Sequence, residues 1–223
     1  MTEETKMRTY LLAPVRAALP VLSGREFDPA REPFCLEREY APIDQFVWDE
    51  SGYCPEARAY VGWEDDGFCA LLCAKEREIA ATVTEFNGRV CCDSCLEWFF
   101  KPFADDPRYL NIEVNPRGVA LIGFGTSRAE RSNLPSLPEG MDIRASEHRG
   151  GWWAVAYRVP NALLRALYGR APAPGEAMAG NFYKCDESIH PHFGSWNAVV
   201  WPKPDFHRPE CFGAIGWQGV NRA

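Results

Sequence analysis

Tyr109-Leu110-Asn111-Ile112-Glu113-Val114-Asn115, then Pro116-Arg117-Gly118, then Val119-Ala120-Leu121-Ile122-Gly123-Phe124: these residues decide the fold of this chain. The first run alternates strictly. It sends Leu110, Ile112 and Val114 to one face and Tyr109, Asn111, Glu113 and Asn115 to the other, which is the period of a half-buried strand. Proline and glycine then break the run with turn chemistry, and an apolar run returns. The spacing predicts an antiparallel hairpin.

Working outward, Asp93-Ser94-Cys95-Leu96-Glu97-Trp98-Phe99-Phe100-Lys101-Pro102 has the same period. Leu96, Trp98 and Phe100 form its packing side, and Glu97 stands on the other side between Cys95 and Phe99. Further upstream, Ala59, Val61 and Trp63 share a face, Glu64-Asp65-Asp66-Gly67 turns, and Phe68 to Ala74 returns as a second hairpin arm. Cys69 and Cys73 lie on one face beside Leu71 and read as core. Tyr10 to Leu12 predicts an opening strand, Phe34 to Tyr40 an edge element, and Asn87-Gly88 a turn. Downstream, Trp153, Val155, Tyr157 and Val159 alternate until Pro160. Leu163, Leu164 and Leu167 then fit one short helix over Asn161 to Tyr168. Asn181 to Cys185 and Cys211 to Trp217 read as strands, and Gly125 to Gly151 and His190 to Trp201 as long loops. Many short strands and one helix predict an all-β chain, an antiparallel β-sandwich with one short helix and long loops. We read it as a single domain over residues 1–223.

Composition narrows the function. A net charge of −7 over 223 residues, with no basic stripe, argues against nucleic acid. No apolar run reaches the roughly 18 residues a membrane helix needs. The Leu11 to Leu22 run is broken by Pro14, Arg16 and Pro20 and makes a poor export signal, so the expectation is a cytoplasmic chain. Nine cysteines in such a chain are expected as free, structural thiols, with no metal site from Cys91, Cys92 and Cys95 or from Cys69 and Cys73. His190, His192 and His207, near Cys185 and Asp186 in sequence, are read as loop histidines bonded to backbone. Thirteen per cent aromatics with eight tryptophans exceed what packing alone usually needs, so some rings are expected to face solvent or a ligand.

Five stretches carry a resemblance, in order along residues 57–217: Asp93-Ser94-Cys95-Leu96-Glu97-Trp98-Phe99, Tyr109 to Asn115, Gly180-Asn181-Phe182-Tyr183-Lys184-Cys185, Gly194-Ser195-Trp196-Asn197, and Pro204-Asp205-Phe206-His207-Arg208-Pro209-Glu210-Cys211-Phe212-Gly213. Together they resemble the carbohydrate-binding module family 9-like domains. The resemblance implies an immunoglobulin-like β-sandwich that holds a mono- or oligosaccharide without cleaving it. It implies Glu97 as the carboxylate, Arg128 as the arginine, Asn181 as an amide partner and Trp196 as a stacking ring. Where family members carry an aromatic shortly before the Asp-Ser-x-x-Glu stretch, this chain has Cys91 and Cys92. No cofactor is expected; the resemblance alone allows calcium, and Asp65, Asp66 and Asp93 form no recognisable calcium loop.

Two other readings stay open. A glycoside hydrolase needs two carboxylates about 5 to 10 Å apart, and Glu97 with Glu113 is the pair to nominate. A structural or interaction sandwich that has lost its sugar site is the other.

Overall fold

The computed structural model describes residues 7–49 and 51–219. The expected domain limits include residues 1–6 and 220–223, which lie outside that range. In chain order the described elements are β1 (Thr9–Pro14), α1 (Pro33–Leu36), β2 (Ala41–Pro42), β3 (Glu56–Glu64), β4 (Gly67–Lys75), β5 (Cys95–Lys101), β6 (Tyr109–Val114) and β7 (Ala120–Gly125). There follow β8 (Ser132–Asn133), β9 (Arg144–Ala145), β10 (Trp152–Pro160), α2 (Asn161–Tyr168), β11 (Met178–Asp186), β12 (His192–Ser195) and β13 (Gly213–Trp217).

The 109–124 hairpin forms as its alternation dictates, with Ile112 opposite Ile122 and Glu113 opposite Leu121. It belongs to a sheet ordered β8-β7-β6-β5-β11-β13-β1, with β12 beside β11. The second sheet runs β1-β3-β4-β10-β9, with β2 on β3. β1 is shared between the two. It pairs in parallel with β13 on one side and with β3 on the other, whereas every other strand pair is antiparallel. The sheet therefore curls at β1 and closes into a sandwich of two layers.

The main core lies between the layers. Leu96, Trp98, Phe100, Leu110, Ile112 and Val114 from one sheet meet Ala59, Val61, Leu72, Trp153, Val155 and Tyr157 from the other, all buried. These are the inward sets that the period-2 reading selects. The aromatics interlock: the Trp98 and Phe100 rings stack with centroids 4.1 Å apart, and Phe68 meets both edge-on.

Both outer faces are also covered. On one sheet, Leu22, Phe27, Phe34 and Cys35 lie over Cys69, Leu71 and Cys73. On the other, Val199, Phe206 and Phe212 lie over Phe99, Tyr109, Tyr183 and Cys185. A strand covered on both faces reads as a continuous apolar run, and β4 is one.

Four expectations need correction, the first being that the expected loop from Gly125 to Gly151 carries the short strands β8 and β9, which pair with β7 and β10. There are two α-helices among the described residues, because Pro33 pre-sets the first helical turn of α1 within the expected edge element. The expected loop at His190 to Trp201 contains β12, which pairs with β11 across Lys184–Gly194. β11 itself is nine residues long, so it reaches well beyond Asn181 to Cys185. The helix over Asn161–Tyr168 stands as expected; Gly169, at φ 78°, supplies the left-handed residue that ends it.

Candidate functional site

The outer face of the first sheet has one gap in its cover. Glu97 and Phe99 of β5, Glu113 of β6, Leu121 of β7 and Cys185 of β11 form its floor. Its walls come from loops: Arg89 and Cys91 before β5, Arg128 and Arg131 after β7, Phe193 of β12, and Pro204 to His207. The cleft encloses about 210 Å³.

Local chemistry explains how the Asp-Ser-x-x-Glu stretch places Glu97. The Asp93 carboxylate accepts from the Thr82 and Val83 amides at 2.8 and 2.9 Å, from the Thr82 hydroxyl, and from Asn115 Nδ2. The Ser94 hydroxyl donates to Asp186 and accepts from the Ala80 amide. These two residues therefore clamp the segment before β5 onto its neighbours. Glu97, three residues on, is left to face outward.

Glu97 and Glu113 occupy directly opposed positions on β5 and β6, and both are buried. Side chains so placed have Cβ atoms roughly 4.5–5.5 Å apart. Burial raises both carboxyls, because leaving water disfavours the charged form. Glu97 rises well above the ordinary range, through burial first and then the facing Glu113 charge. Glu113 is also raised by burial, but the Arg131 and Arg128 guanidiniums pull against it and leave it at about 7. Two such groups titrate as a pair, with both members raised above the ordinary carboxylate range. Asn111 Nδ2 donates to Glu113 Oε1 at 2.9 Å, and the Cys185 thiol lies 3.1 Å from Glu97 Oε1.

The arginines are held at the rim. Arg128 pairs with Asp205 at 3.0 Å, and Arg208 holds the other Asp205 oxygen at 2.7 Å. Burial alone would raise the Asp205 carboxyl, but Arg128 and the His207 backbone N–H outweigh it and hold it low. Arg131 enters beside Gly123, where a Cβ would stand 2.6 Å from its Nη1. His207 is neutral: burial, then Arg131 and Arg128, lower it to about 3, and its Nδ1 shares a 2.8 Å hydrogen bond with the Tyr109 hydroxyl.

Of the four residues nominated from sequence, Glu97 and Arg128 meet in this cleft. Asn181 and Trp196 do not line it. The Asn181 amide donates to the Asn197 carbonyl at 2.8 Å and accepts from the Asn197 and Phe182 amides, which uses its hydrogen-bonding capacity on backbone. Trp196 is buried in the main core between Phe182 and Tyr10, with its ring over Gly213. The rings in the cleft are Phe99, Phe193 and Phe206. Phe206 and His207 lie in the quoted Pro204 to Gly213 stretch, and Glu113 in the diagnostic hairpin; Arg131 and Phe193 carry no motif. The histidines are dispersed: His207 is in the cleft, while His192 lies in another buried cluster, 4.0 Å from Glu76.

That second cluster is polar and closed. Lys184 and Glu76, both without solvent access, pair at 3.2 Å, and Trp153 Nε1 donates to the other Glu76 oxygen at 2.6 Å. The Lys184 ammonium also donates to the Cys185 carbonyl at 2.7 Å. It braces β11 directly behind the cleft floor.

The chain belongs to carbohydrate-binding family 9, whose sequence model matches residues 35–217. A Bacteroides uniformis protein provisionally assigned as carbohydrate-binding is similar in structure, with a TM-score of 0.75 and 25% identity over 96% of this chain and 100% of that one. A family 9 module from Caldicellulosiruptor kristjanssonii, solved with glucose, gives a TM-score of 0.64 at 12% identity over 97% of this chain and 98% of that one. The same organism's module solved with cellotriose gives 0.64 and 12%, over 96% and 95%. At 12% identity these last two share the fold. No curated protein sequence matches significantly.

Proposed function

We propose that the Glu97–Glu113 cleft binds a carbohydrate and does not cleave it. The observation that carries this reading is the opposed, buried carboxylate pair with guanidiniums at its rim and phenyl rings in its walls. A sugar hydroxyl both donates and accepts. Two adjacent carboxyls whose burial favours the protonated form offer both acceptors and donors in one place. Arg128 and Arg131 supply fork-shaped donors, and bonds to charged groups are the stronger ones. Phe193 and Phe206 give apolar faces for sugar C–H groups. Family membership and the glucose and cellotriose bound by the Caldicellulosiruptor modules support a pyranose ligand.

One observation favours a hydrolase as the second reading: Glu113 is raised to about 7, in the range useful to a general acid. Against it, both carboxyls rise from adjacent strands on one floor, whereas hydrolysis places them on either side of the scissile bond. Backbone amide shifts recorded while glucose or cellotriose is added test the binding reading. Perturbations should cluster at Glu97, Glu113 and Phe206. Shifts confined to a face away from the cleft would refute it. Reducing-sugar release from an oligosaccharide panel, lost on Glu113→Gln substitution, would establish the hydrolase instead.

A further inference from the structure

Beneath the cleft, Cys95, Glu97 and Cys185 lie together, all buried, with their two sulfurs and one carboxylate oxygen within 4.8 Å of one another. The grouping follows from the sheet. Cys95 and Cys185 are direct cross-strand partners on β5 and β11, and Glu97 follows Cys95 by two residues on the same face. We propose that these three side chains are the ligands of a single thiophilic divalent ion, zinc in type, with its fourth position open to the cleft.

Three observations point the same way. The donor set of two sulfurs and one oxygen suits zinc or another borderline-soft ion, and disfavours calcium and magnesium, which take oxygen. Glu97 is a buried carboxyl whose one hydrogen bond among the described residues comes from the Cys185 thiol, a weak donor. A buried carboxylate so poorly served is costly unless something else compensates it. Finally, Cys185 and Glu97 both line the cleft while Cys95 does not, which leaves one side of the trio accessible for water or another exogenous ligand. Three protein ligands and one position left to water or an exogenous ligand are the arrangement of an open zinc site, as distinct from a closed structural one.

All nine cysteines are free thiols in the structure, so both sulfurs are available. Uptake forms two metal–sulfur bonds and one metal–oxygen bond. The Cys95 and Cys185 thiols and the Glu97 carboxyl, whose burial favours its protonated form, each release a proton to solvent, and no electron is transferred. A second trio, Cys91, Cys92 and Glu187, lies at the rim and is half exposed. It is the competing site, and the test must separate the two. The proposal does not depend on sugar binding, since the ion is held by the protein alone.

The test uses the full chain, reduced and stripped of metal, titrated with Co²⁺ and then Zn²⁺ in the absence of sugar. The expected result is one equivalent of cobalt with sulfur-to-metal charge-transfer absorption and the strong visible bands of a four-coordinate ion, displaced by zinc. Cys95→Ala and Cys185→Ala should each abolish the signal, whereas Cys92→Ser should leave it intact. Cadmium-113 NMR of the unmutated protein gives an independent reading, with a resonance in the two-sulfur range expected. No cobalt uptake by the folded, reduced protein would overturn the proposal. So would a cadmium resonance in the all-oxygen range, or a signal lost in Cys92→Ser and kept in Cys95→Ala.

Discussion

Glu97 and Glu113 face each other across the β5–β6 ladder, buried on the outer face of the sheet, and Arg131, beside Gly123, adds its charge near Glu113. Two like-charged groups directly opposite would ordinarily weaken a strand pair. Here the pair is held by neighbours that serve the cleft: Asn111 on Glu113, Cys185 on Glu97, and guanidiniums above. The sandwich is built elsewhere, which leaves this face for the recognition we propose.

Phe206→Ala and Trp196→Ala should separate recognition from folding. The Trp196 ring is part of the core, so its removal should cost about 3–5 kcal/mol of stability. Phe206 is a cleft wall stacked on Tyr183 at 4.1 Å, and its removal should reduce sugar affinity as well as stability. Chemical denaturation paired with sugar titration checks both, and a Trp196→Ala protein of undiminished stability would contradict the assignment.

Gly123→Ala places a methyl group against the Arg131 guanidinium and the Asn111 amide. The backbone there is ordinary strand, so the fold should survive while the buried Asn111 amide, which is the nearer group, and Arg131 are both displaced from Glu113. Loss of one charge-assisted bond predicts a roughly tenfold weaker sugar affinity, or about 1.4 kcal/mol. Calorimetric titration of the variant measures it.

The Lys184–Glu76 pair should behave as a buried ion pair with one-sided failure. Lys184→Met leaves Glu76 uncompensated and should destabilise by about 3–5 kcal/mol, while adding Glu76→Gln should restore much of that loss. A double-mutant cycle of unfolding free energies tests this. Additive losses would show that the two charges do not act together.

His192 gives a pH signature. Burial, then the Lys184 charge, lowers it to about 3, whereas an unfolded histidine titrates near about 6.5. The unfolded chain therefore binds the proton first, so this contribution to stability is complete above the unfolded value and is lost as pH falls toward the folded one. Around the ring stand Glu76, Lys184, Asp186, His190 and Tyr53. His207 acts in the same sense, and the raised Glu97 and Glu113 in the opposite one, losing their contribution as pH rises. The wild type minus His192→Phe difference isolates His192. Thermal midpoints recorded between pH 7 and 4 should fall more steeply for the wild type.

The β-hairpins were legible because one buried face per strand forces period-2 alternation: Leu110, Ile112 and Val114 could be read directly. Strand β12 was not legible, since His192, Phe193, Gly194 and Ser195 carry no apolar alternation and pair only because β11 offers an edge. Glu97 was legible for the same reason as the hairpin: a carboxylate on the outward side of an apolar strand needs an explanation. Trp196 misled because its polar neighbours, Ser195 and Asn197, describe the loop and not the direction of the ring. Arg131, Phe193 and the cross-strand meeting of Cys95 with Cys185 depend on long-range register, which no local pattern records.

The function proposed for this protein turns on whether the Glu97–Glu113 cleft holds a sugar. Its most direct test is calorimetric titration of the wild type, Glu97→Gln and Arg128→Ala with glucose, cellotriose and a panel of other oligosaccharides. Saturable one-to-one binding of at least one member by the wild type is expected. Glu97→Gln should weaken that binding about tenfold or more, the loss expected for a charged hydrogen bond. Absence of binding to every member at millimolar sugar by correctly folded protein, or full affinity retained in both variants, would contradict the proposed function.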